Sequence, residues 1–161
     1  MAREMRQVPD QGAACVEERA GPCAVVIFGA SGDLARRKLM PALFGLFKRE
    51  LLSECFYVLG CARSPMDDDS FRGALAESLE APQDVRHRFL ERCYYEQVGY
   101  EKADLAVRLS RRLEALDARH GAGANRLFYM ALPPGLFSGV IARLWGYGLT
   151  QQRGADAPWV R

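Results

Sequence analysis

Short apolar runs alternate with longer amphipathic segments along the chain, and this alternation predicts β-strands separated by helices. Four of the runs are too short for helices and rich in aliphatic and aromatic residues. We predict them as strands at 24–28, 56–60, 93–98 and 127–132. The first is apolar throughout, which is typical of a central strand buried on both faces of a parallel sheet. The last is equally apolar, and we expect it to have neighbouring strands on both sides. The pattern therefore favours an α/β fold.

Between the strands, apolar residues recur with the period of amphipathic helices. The first helix is predicted from Asp33 to residue 50 and contains Pro41. An interior proline costs about 3 kcal/mol, so we expect the helix to kink or split there. Further helices are predicted after the acidic residues 67–69, over 84–92 and over 105–116. The last helix is predicted to bury Phe137, Val140, Ile141, Leu144 and Trp145.

The composition narrows the class of protein. The 161 residues carry a net charge of +2, which argues against a polybasic nucleic-acid-binding arm, and no apolar run approaches the ~18 residues of a membrane span. Five cysteines without a C-x-x-C motif, and two histidines, support neither a disulfide framework nor a metal site. We expect reduced, buried thiols. Residues 1–22 form a polar leader without a signal-peptide apolar stretch, so we expect a cytoplasmic protein with one domain over 23–161.

The first predicted strand runs directly into a glycine-containing turn, G-x-x-G-x-x-A, which then opens a helix. In this context Gly29 permits a tight turn, Gly32 lets a pyrophosphate approach backbone N–H groups, and Ala35 lets the helix pack closely. The arrangement predicts a doubly wound, Rossmann-like sheet that binds a dinucleotide. A strand-to-helix turn that needs glycine only for its geometry is the alternative. Without G-K-[ST], a P-loop triphosphatase is disfavoured.

Charged residues suggest which dinucleotide is bound. Arg36, Arg37 and Lys38 lie in the first turns of the helix, where a bound anion would relieve the repulsion from the helix dipole; a solvated basic face is the alternative. Glu50 has the spacing of a ribose-binding acid but precedes the second strand. The exit of that strand instead carries Arg63 and Ser64, which suit a 2′-phosphate. We predict NADP, with an ordinary loop arginine as the alternative.

Three blocks of sequence make a family resemblance visible. They are V-I-F-G-A-S-G-D-L-A-R-R-K-L-M-P-A-L at 26–43, G-C-A-R-S at 60–64 and N-R-L-F-Y-M-A-L-P-P at 125–134. Together they resemble the N-terminal coenzyme domain of glucose-6-phosphate dehydrogenase, over residues 23–161. Another oxidoreductase with a similar turn would leave the A-L-P-P block unexplained. Pro41 also belongs to the family's pattern.

The resemblance, together with the residues themselves, yields a predicted set of NADP-binding positions. It implies a phosphate loop at 29–36, a 2′-phosphate contact at Arg63, an adenosine-side lining at the end of the third strand, and a cofactor contact after the fourth. The predicted cofactor-binding residues are Gly29, Ala30, Ser31, Gly32, Asp33, Leu34, Ala35, Arg36, Lys38, Arg63, Ser64, Gly99, Tyr100, Ala131 and Leu132. His87 and His120 are predicted to be structural.

The chain also departs from the family's pattern. Phe137 stands where some members have a cofactor-contacting tyrosine, and the substrate lysine of an E-K-P motif, the catalytic histidine and aspartate, and the second α+β domain have no counterpart in 1–161. The resemblance implies hydride transfer from C1 of glucose 6-phosphate to NADP, in an enzyme expected to be a homo-oligomer. We expect this chain to be its coenzyme-binding part, inactive alone, with the sheet incomplete at its C-terminal half. The alternative is a non-catalytic NADP-binding module that acts through a partner.

Overall fold

The computed structural model describes residues 18–152, 154 and 157–161, and its centre is a four-stranded parallel sheet. The strands are β1 Cys23–Phe28, β2 Phe56–Ala62, β3 Cys93–Gln97 and β4 Arg126–Met130, in the order β3-β2-β1-β4. The helices are α1 Met40–Lys48, α2 Asp68–Ala76, α3 Gln83–Leu90, α4 Leu105–His120 and α5 Phe137–Gly146. The predicted α/β, Rossmann-like fold is confirmed.

Helices cover both faces of the sheet because its central strands are apolar on both faces. Every residue of β1 and β2 is buried. On one face, Val25 and Ile27 share a core with residues of α1, α2 and α3. On the other, Val26 and Phe28 share a core with α4 and α5. The packing on both faces therefore fixes the positions of the strand ends and of the loops that follow them.

The predicted interruption of the first helix takes the form of a π-helical segment, Ala35–Leu39, directly before α1. The N–H of Met40 donates to the carbonyl of Ala35, five residues back. Pro41 follows at the start of α1, where its missing N–H and its ring are poorly accommodated by a preceding regular α-turn. The helix that leaves the glycine turn is thus widened over its second turn.

Several helix boundaries follow the local sequence signals. Asp67 caps α2, its side chain accepting a hydrogen bond of 2.8 Å from the N–H of Ser70. Gly121, with φ of 67°, ends α4 in the left-handed conformation that favours glycine. Near the end of α4, Asp117 accepts hydrogen bonds from the Tyr57 hydroxyl (2.7 Å) and the Arg126 guanidinium (2.9 Å). This cluster ties α4 to β2 and β4.

Strand β4 is only partly buried. Leu127 and Tyr129 are exposed on one face of β4. The helices of the described residues that cover this face of the sheet at β1 do not extend over β4. The outer edge of β4 is partly paired: the N–H groups of Arg126 and Phe128 donate to the carbonyls of Trp159 and Arg161 at 3.0 and 2.8 Å. Val160 therefore forms an isolated parallel β-bridge with Arg126.

The burial predicted for α5 is right for two of the five residues, and Phe137 is half-buried. Val140 and Leu144 are buried against the sheet as expected. Ile141 and Trp145 are 46% and 60% exposed, so their predicted burial is wrong. The helix lies on an outer layer of the molecule and presents a second apolar stripe away from the core.

The cysteines of the described residues are reduced, and Cys15 lies outside those residues. Cys23, Cys61 and Cys93 are buried, while Cys55 is half-buried. In the described part of the chain, no helix is both long and apolar enough to span a bilayer, and no three potential ligand side chains cluster as a metal site would require. Of the predicted leader, residues 1–17 lie outside the described ones, and the N–H of Ala20 donates to the Leu51 carbonyl.

Candidate functional site

The turn that follows β1 is built around a glycine with no room for a side chain. Gly29 has φ of 84°, and a Cβ added to it would lie 2.1 Å from the carbonyl oxygen of Ala131. The N–H of Ala131 in turn donates to the carbonyl of Phe28 at 2.9 Å. Glycine is required at this point because the exits of β1 and β4 come into direct backbone contact.

Beyond Gly29 the turn presents backbone donors to its surroundings. The first main-chain bond of the following helix runs from the N–H of Arg36 to the carbonyl of Gly32, at 3.1 Å. The N–H groups of the first turn, at residues 33–35, therefore have no acceptor within the helix. Gly32 is exposed, and the only described atom within 4 Å of an added Cβ is the Gly29 carbonyl oxygen. This surface is accessible to a phosphate, and its polarity suits one.

The turn is held against β2. The N–H groups of Gly29 and Ala30 both donate to the carbonyl of Cys61, at 2.8 and 3.3 Å. Gly60 makes this approach possible, since a Cβ there would lie 2.8 Å from the Cβ of Ala30 and 2.7 Å from a ring carbon of Phe71. The buried Ala35 lets the first helical turns lie close to the sheet. Sequence reasoning did not identify Gly60 as a packing position.

The exit of β2 meets the glycine turn through two serines. The hydroxyl of Ser64 donates to the hydroxyl of Ser31 at 3.0 Å. Arg63, next to Ser64, is exposed, and its guanidinium carbon lies 5.8 Å from the centre of the Tyr100 ring. The two candidate anion-binding segments, 29–36 and 63–64, are therefore adjacent at the carboxyl edge of the sheet, where open α/β sheets bind ligands.

Residues after β3 contact both the exit of β2 and the side chain of Arg63. Tyr100 is buried, and its hydroxyl lies 3.4 Å from the Cys61 carbonyl, the oxygen that also accepts from the glycine turn. Tyr100 offers a ring face to Arg63, while Gly99 lies against the side chain of Lys102. Burial raises the pKa of Tyr100, so its hydroxyl stays protonated at neutral pH.

The remaining predicted residues surround the turn. Asp33, Leu34, Arg36 and Lys38 are exposed at the start of the helix, and Ala131 and Leu132 lie beside Gly29 after β4. The side chain of Asp33 lies 3.7 Å from Arg37, with both groups largely exposed. Because such exposed pairs contribute little, the cations of this helix remain available to an anion. The structure thus brings the predicted positions from four strand exits to one edge.

A second depression lies at the opposite edge of the sheet, before the strands begin. It has a volume of about 900 Å³. Its lining includes Lys48, Glu54, Arg92 and His120, which precede β2 and β3 or end α1 and α4. The ring of His120 hydrogen-bonds to the Tyr94 hydroxyl at 2.8 Å. Burial, with Arg92 and Arg119 nearby, lowers the pKa of His120. Because open α/β sheets bind ligands at the carboxyl edge, the glycine turn and not this depression is the candidate site.

Comparisons with known proteins indicate the family to which the chain belongs. A family model described as the glucose-6-phosphate dehydrogenase NAD binding domain matches residues 26–161. The glucose-6-phosphate 1-dehydrogenase of Chlamydia muridarum is 37% identical over 148 residues, and that of Aggregatibacter actinomycetemcomitans is 38% identical over 148. These alignments cover 87% and 89% of this chain and 29% of each relative.

A solved structure supports the same comparison. It is a glucose-6-phosphate dehydrogenase in complex with its substrate glucose-6-phosphate, and it superposes with a TM-score of 0.76 at 28% identity. The superposition covers 89% of this chain and 30% of that one. The chain therefore spans under a third of the length of the relatives it matches.

Proposed function

The chain belongs to the glucose-6-phosphate dehydrogenase family and matches its nicotinamide-dinucleotide-binding domain; from this premise, we propose that its carboxyl-edge site binds NADP. The observation that carries the proposal is the 3.0 Å hydrogen bond between Ser64 and Ser31, which joins the exit of β2 to the phosphate turn. A dinucleotide with its pyrophosphate on the turn would then have its adenosine 2′-phosphate next to Arg63.

Each part of the site has a distinct role in this proposal. The free N–H groups at the start of the helix, with Arg36 and Lys38, bind the pyrophosphate. The Arg63 guanidinium forms charge-assisted hydrogen bonds to the 2′-phosphate, and the Ser64 hydroxyl contributes a further one. Gly99 and Tyr100 line the adenosine side, and Ala131 and Leu132 lie beside the cofactor. No carboxylate follows β2 at the position where an NAD-preferring site would use one for the ribose.

The proposed reaction is that of the longer relatives. Bound NADP would accept a hydride from C1 of glucose 6-phosphate, giving a lactone, in an enzyme that we expect to be cytoplasmic and homo-oligomeric. The role of this chain is to bind and orient the coenzyme. Because 1–161 contains no counterpart of the sugar-binding lysine or of the catalytic histidine and aspartate of the resemblance, we expect the chain alone to be inactive.

The test of coenzyme choice compares the affinities for NADP and NAD by isothermal titration calorimetry. Arg63→Ala removes a charged hydrogen-bonding group that contributes about 1.5–3 kcal/mol. We therefore expect NADP affinity to fall about 10- to 150-fold, with NAD affinity nearly unchanged. Arg111→Ala, an exposed charge loss on α4, is the matched control and should leave both affinities in place. An unchanged NADP affinity in Arg63→Ala would refute the assignment.

The test of catalytic incompetence follows NADPH absorbance after mixing the chain, NADP and glucose 6-phosphate. We expect no turnover while calorimetry reports NADP binding. Glucose-6-phosphate-dependent NADPH formation would contradict the inactivity. Stable, monodisperse behaviour with NADP bound would instead favour the alternative, a non-catalytic module.

A further inference from the structure

A tyrosine of β3 holds the loop that carries the candidate 2′-phosphate contacts. Tyr95 is buried, and its hydroxyl donates a hydrogen bond of 2.7 Å to the backbone carbonyl of Ser64. Its own N–H donates to the carboxylate of Asp68 at 2.8 Å, so the strand residue is fixed from both ends. Burial raises the pKa of Tyr95 to about 12, and the hydroxyl remains a donor throughout the neutral range.

A second side chain of β3 acts on the preceding residue of the same loop. The amide nitrogen of Gln97 donates to the carbonyl of Arg63 at 3.2 Å. Since Tyr95 and Gln97 lie two residues apart on one strand, both side chains project from the same face. Two successive loop carbonyls, those of Arg63 and Ser64, are therefore held by two side chains of β3.

These bonds leave the polar side chains of the loop free to face the glycine turn. With its carbonyl held by Tyr95, Ser64 directs its hydroxyl to Ser31. Arg63 extends from the held backbone over the Tyr100 ring, with its guanidinium exposed. A loop fixed in this way loses less conformational entropy when a ligand binds than a free loop does.

We propose that Tyr95 and Gln97 are positioning residues for coenzyme selectivity, which hold the exit of β2 so that Arg63 and Ser64 meet a 2′-phosphate. Neither side chain has to touch the coenzyme. The inference rests on the proposed function of this site. It adds that the preference for a phosphorylated over an unphosphorylated ribose depends on β3 as well as on the arginine itself.

The experiment measures the ratio of NADP to NAD affinity by calorimetry in the full chain. Tyr95→Phe removes one oxygen and leaves the Ser64 carbonyl without the donor that holds it. The loop must then be ordered when the ligand binds, and ordering one side chain lowers affinity by about 2- to 13-fold. We expect the NADP affinity to fall about tenfold while the NAD affinity changes less than twofold. Tyr129→Phe, an exposed tyrosine on β4, is the matched control and should leave the ratio unchanged.

A double substitution separates positioning from general damage to the fold. In an Arg63→Ala background, Tyr95→Phe should lower NADP affinity much less than in the unsubstituted chain, because only the Ser64 hydroxyl is left for it to position. Gln97→Ala changes an exposed side chain and therefore tests the same positioning without disturbing the core. We expect NADP affinity to fall about two- to fivefold and NAD affinity to stay unchanged.

The outcomes distinguish this inference from the function on which it rests. If the unsubstituted chain binds NAD and NADP equally, the proposed coenzyme choice is wrong, and the inference is wrong with it. If the unsubstituted chain prefers NADP and both Tyr95→Phe and Gln97→Ala keep that preference, the inference alone is overturned. Equal losses of NADP and NAD affinity would also overturn it, since they would indicate a structural role only.

Discussion

Replacing Gly29 by alanine should damage the fold and the proposed coenzyme site together. The added Cβ would lie 2.1 Å from the Ala131 carbonyl oxygen, whereas ordinary contacts begin near 3.4 Å. One backbone segment must therefore move by 3.4 minus 2.1, or about 1.3 Å. The φ of 84° adds a further penalty, because a side chain is strained in that conformation.

The magnitude follows from these two costs. The left-handed backbone costs about 1–2 kcal/mol for a residue with a Cβ, and overpacking against a rigid backbone costs about 1–3 kcal/mol. We expect Gly29→Ala to lower the free energy of unfolding by about 2–5 kcal/mol. At roughly 2–4 °C per kcal/mol for a chain of this size, the melting temperature should fall by about 4–20 °C.

The assay combines thermal unfolding, followed by circular dichroism, with calorimetric titration of NADP. Gly73→Ala is the matched control: this glycine lies in α2, and nothing lies within 4 Å of an added Cβ. It should stabilise the chain by about 0.5–1 kcal/mol. If Gly29→Ala melts within a degree of the unsubstituted chain and binds NADP equally well, the close contact between the exits of β1 and β4 does not matter as we argue.

Three further substitutions test the packing and charge of the fold. Gly60→Ala should cost about 1–3 kcal/mol in urea unfolding, because its Cβ has no room between the glycine turn and α2; a neutral result would contradict that packing. Asp117→Ala leaves the largely buried Arg126 without its carboxylate, and a loss of about 3–5 kcal/mol is expected; a loss below 1 kcal/mol would contradict it. Because the pKa of His120 is lowered from 6.5, the unfolded chain takes up this proton first as the pH falls, so stability should decrease below pH 6.5. In His120→Gln, the urea midpoint should decrease less between pH 7 and low pH than in the unsubstituted chain, and an identical decrease would contradict this argument.

The parts of the fold predicted correctly are those that local sequence determines. The strand, the G-x-x-G-x-x-A turn and the helix after it depend on the conformational needs of a few adjacent residues, such as Gly29. The acidic start of α2 and the glycine end of α4 are equally local signals. The effect of Pro41 could be located, although its π-helical form could not, because that depends on how the helix lies on the sheet.

The errors concern burial, which depends on what lies opposite a residue. Residues 127–132 are continuously apolar, yet Leu127 and Tyr129 are exposed because no described helix covers their face. Trp145 has the right period for a core position and lies on the outer side of α5. The role of Tyr95 at the site could not be predicted either, since its partner, the Ser64 carbonyl, is a backbone atom 31 residues away in the sequence.

The buried thiol of Cys61 can serve as a probe of local opening of the fold. Burial raises the pKa of Cys61, so an alkylating reagent reacts with it only during moments of opening. Its side chain lies in the core that the sheet shares with α4 and α5, while its backbone carbonyl accepts from the N–H groups of Gly29 and Ala30. An opening that exposes the thiol must therefore separate this core next to the glycine turn. The rate at which Cys61 becomes labelled would report how often the sheet opens next to the glycine turn. A dinucleotide bound at the turn would slow that rate without any change in the average structure.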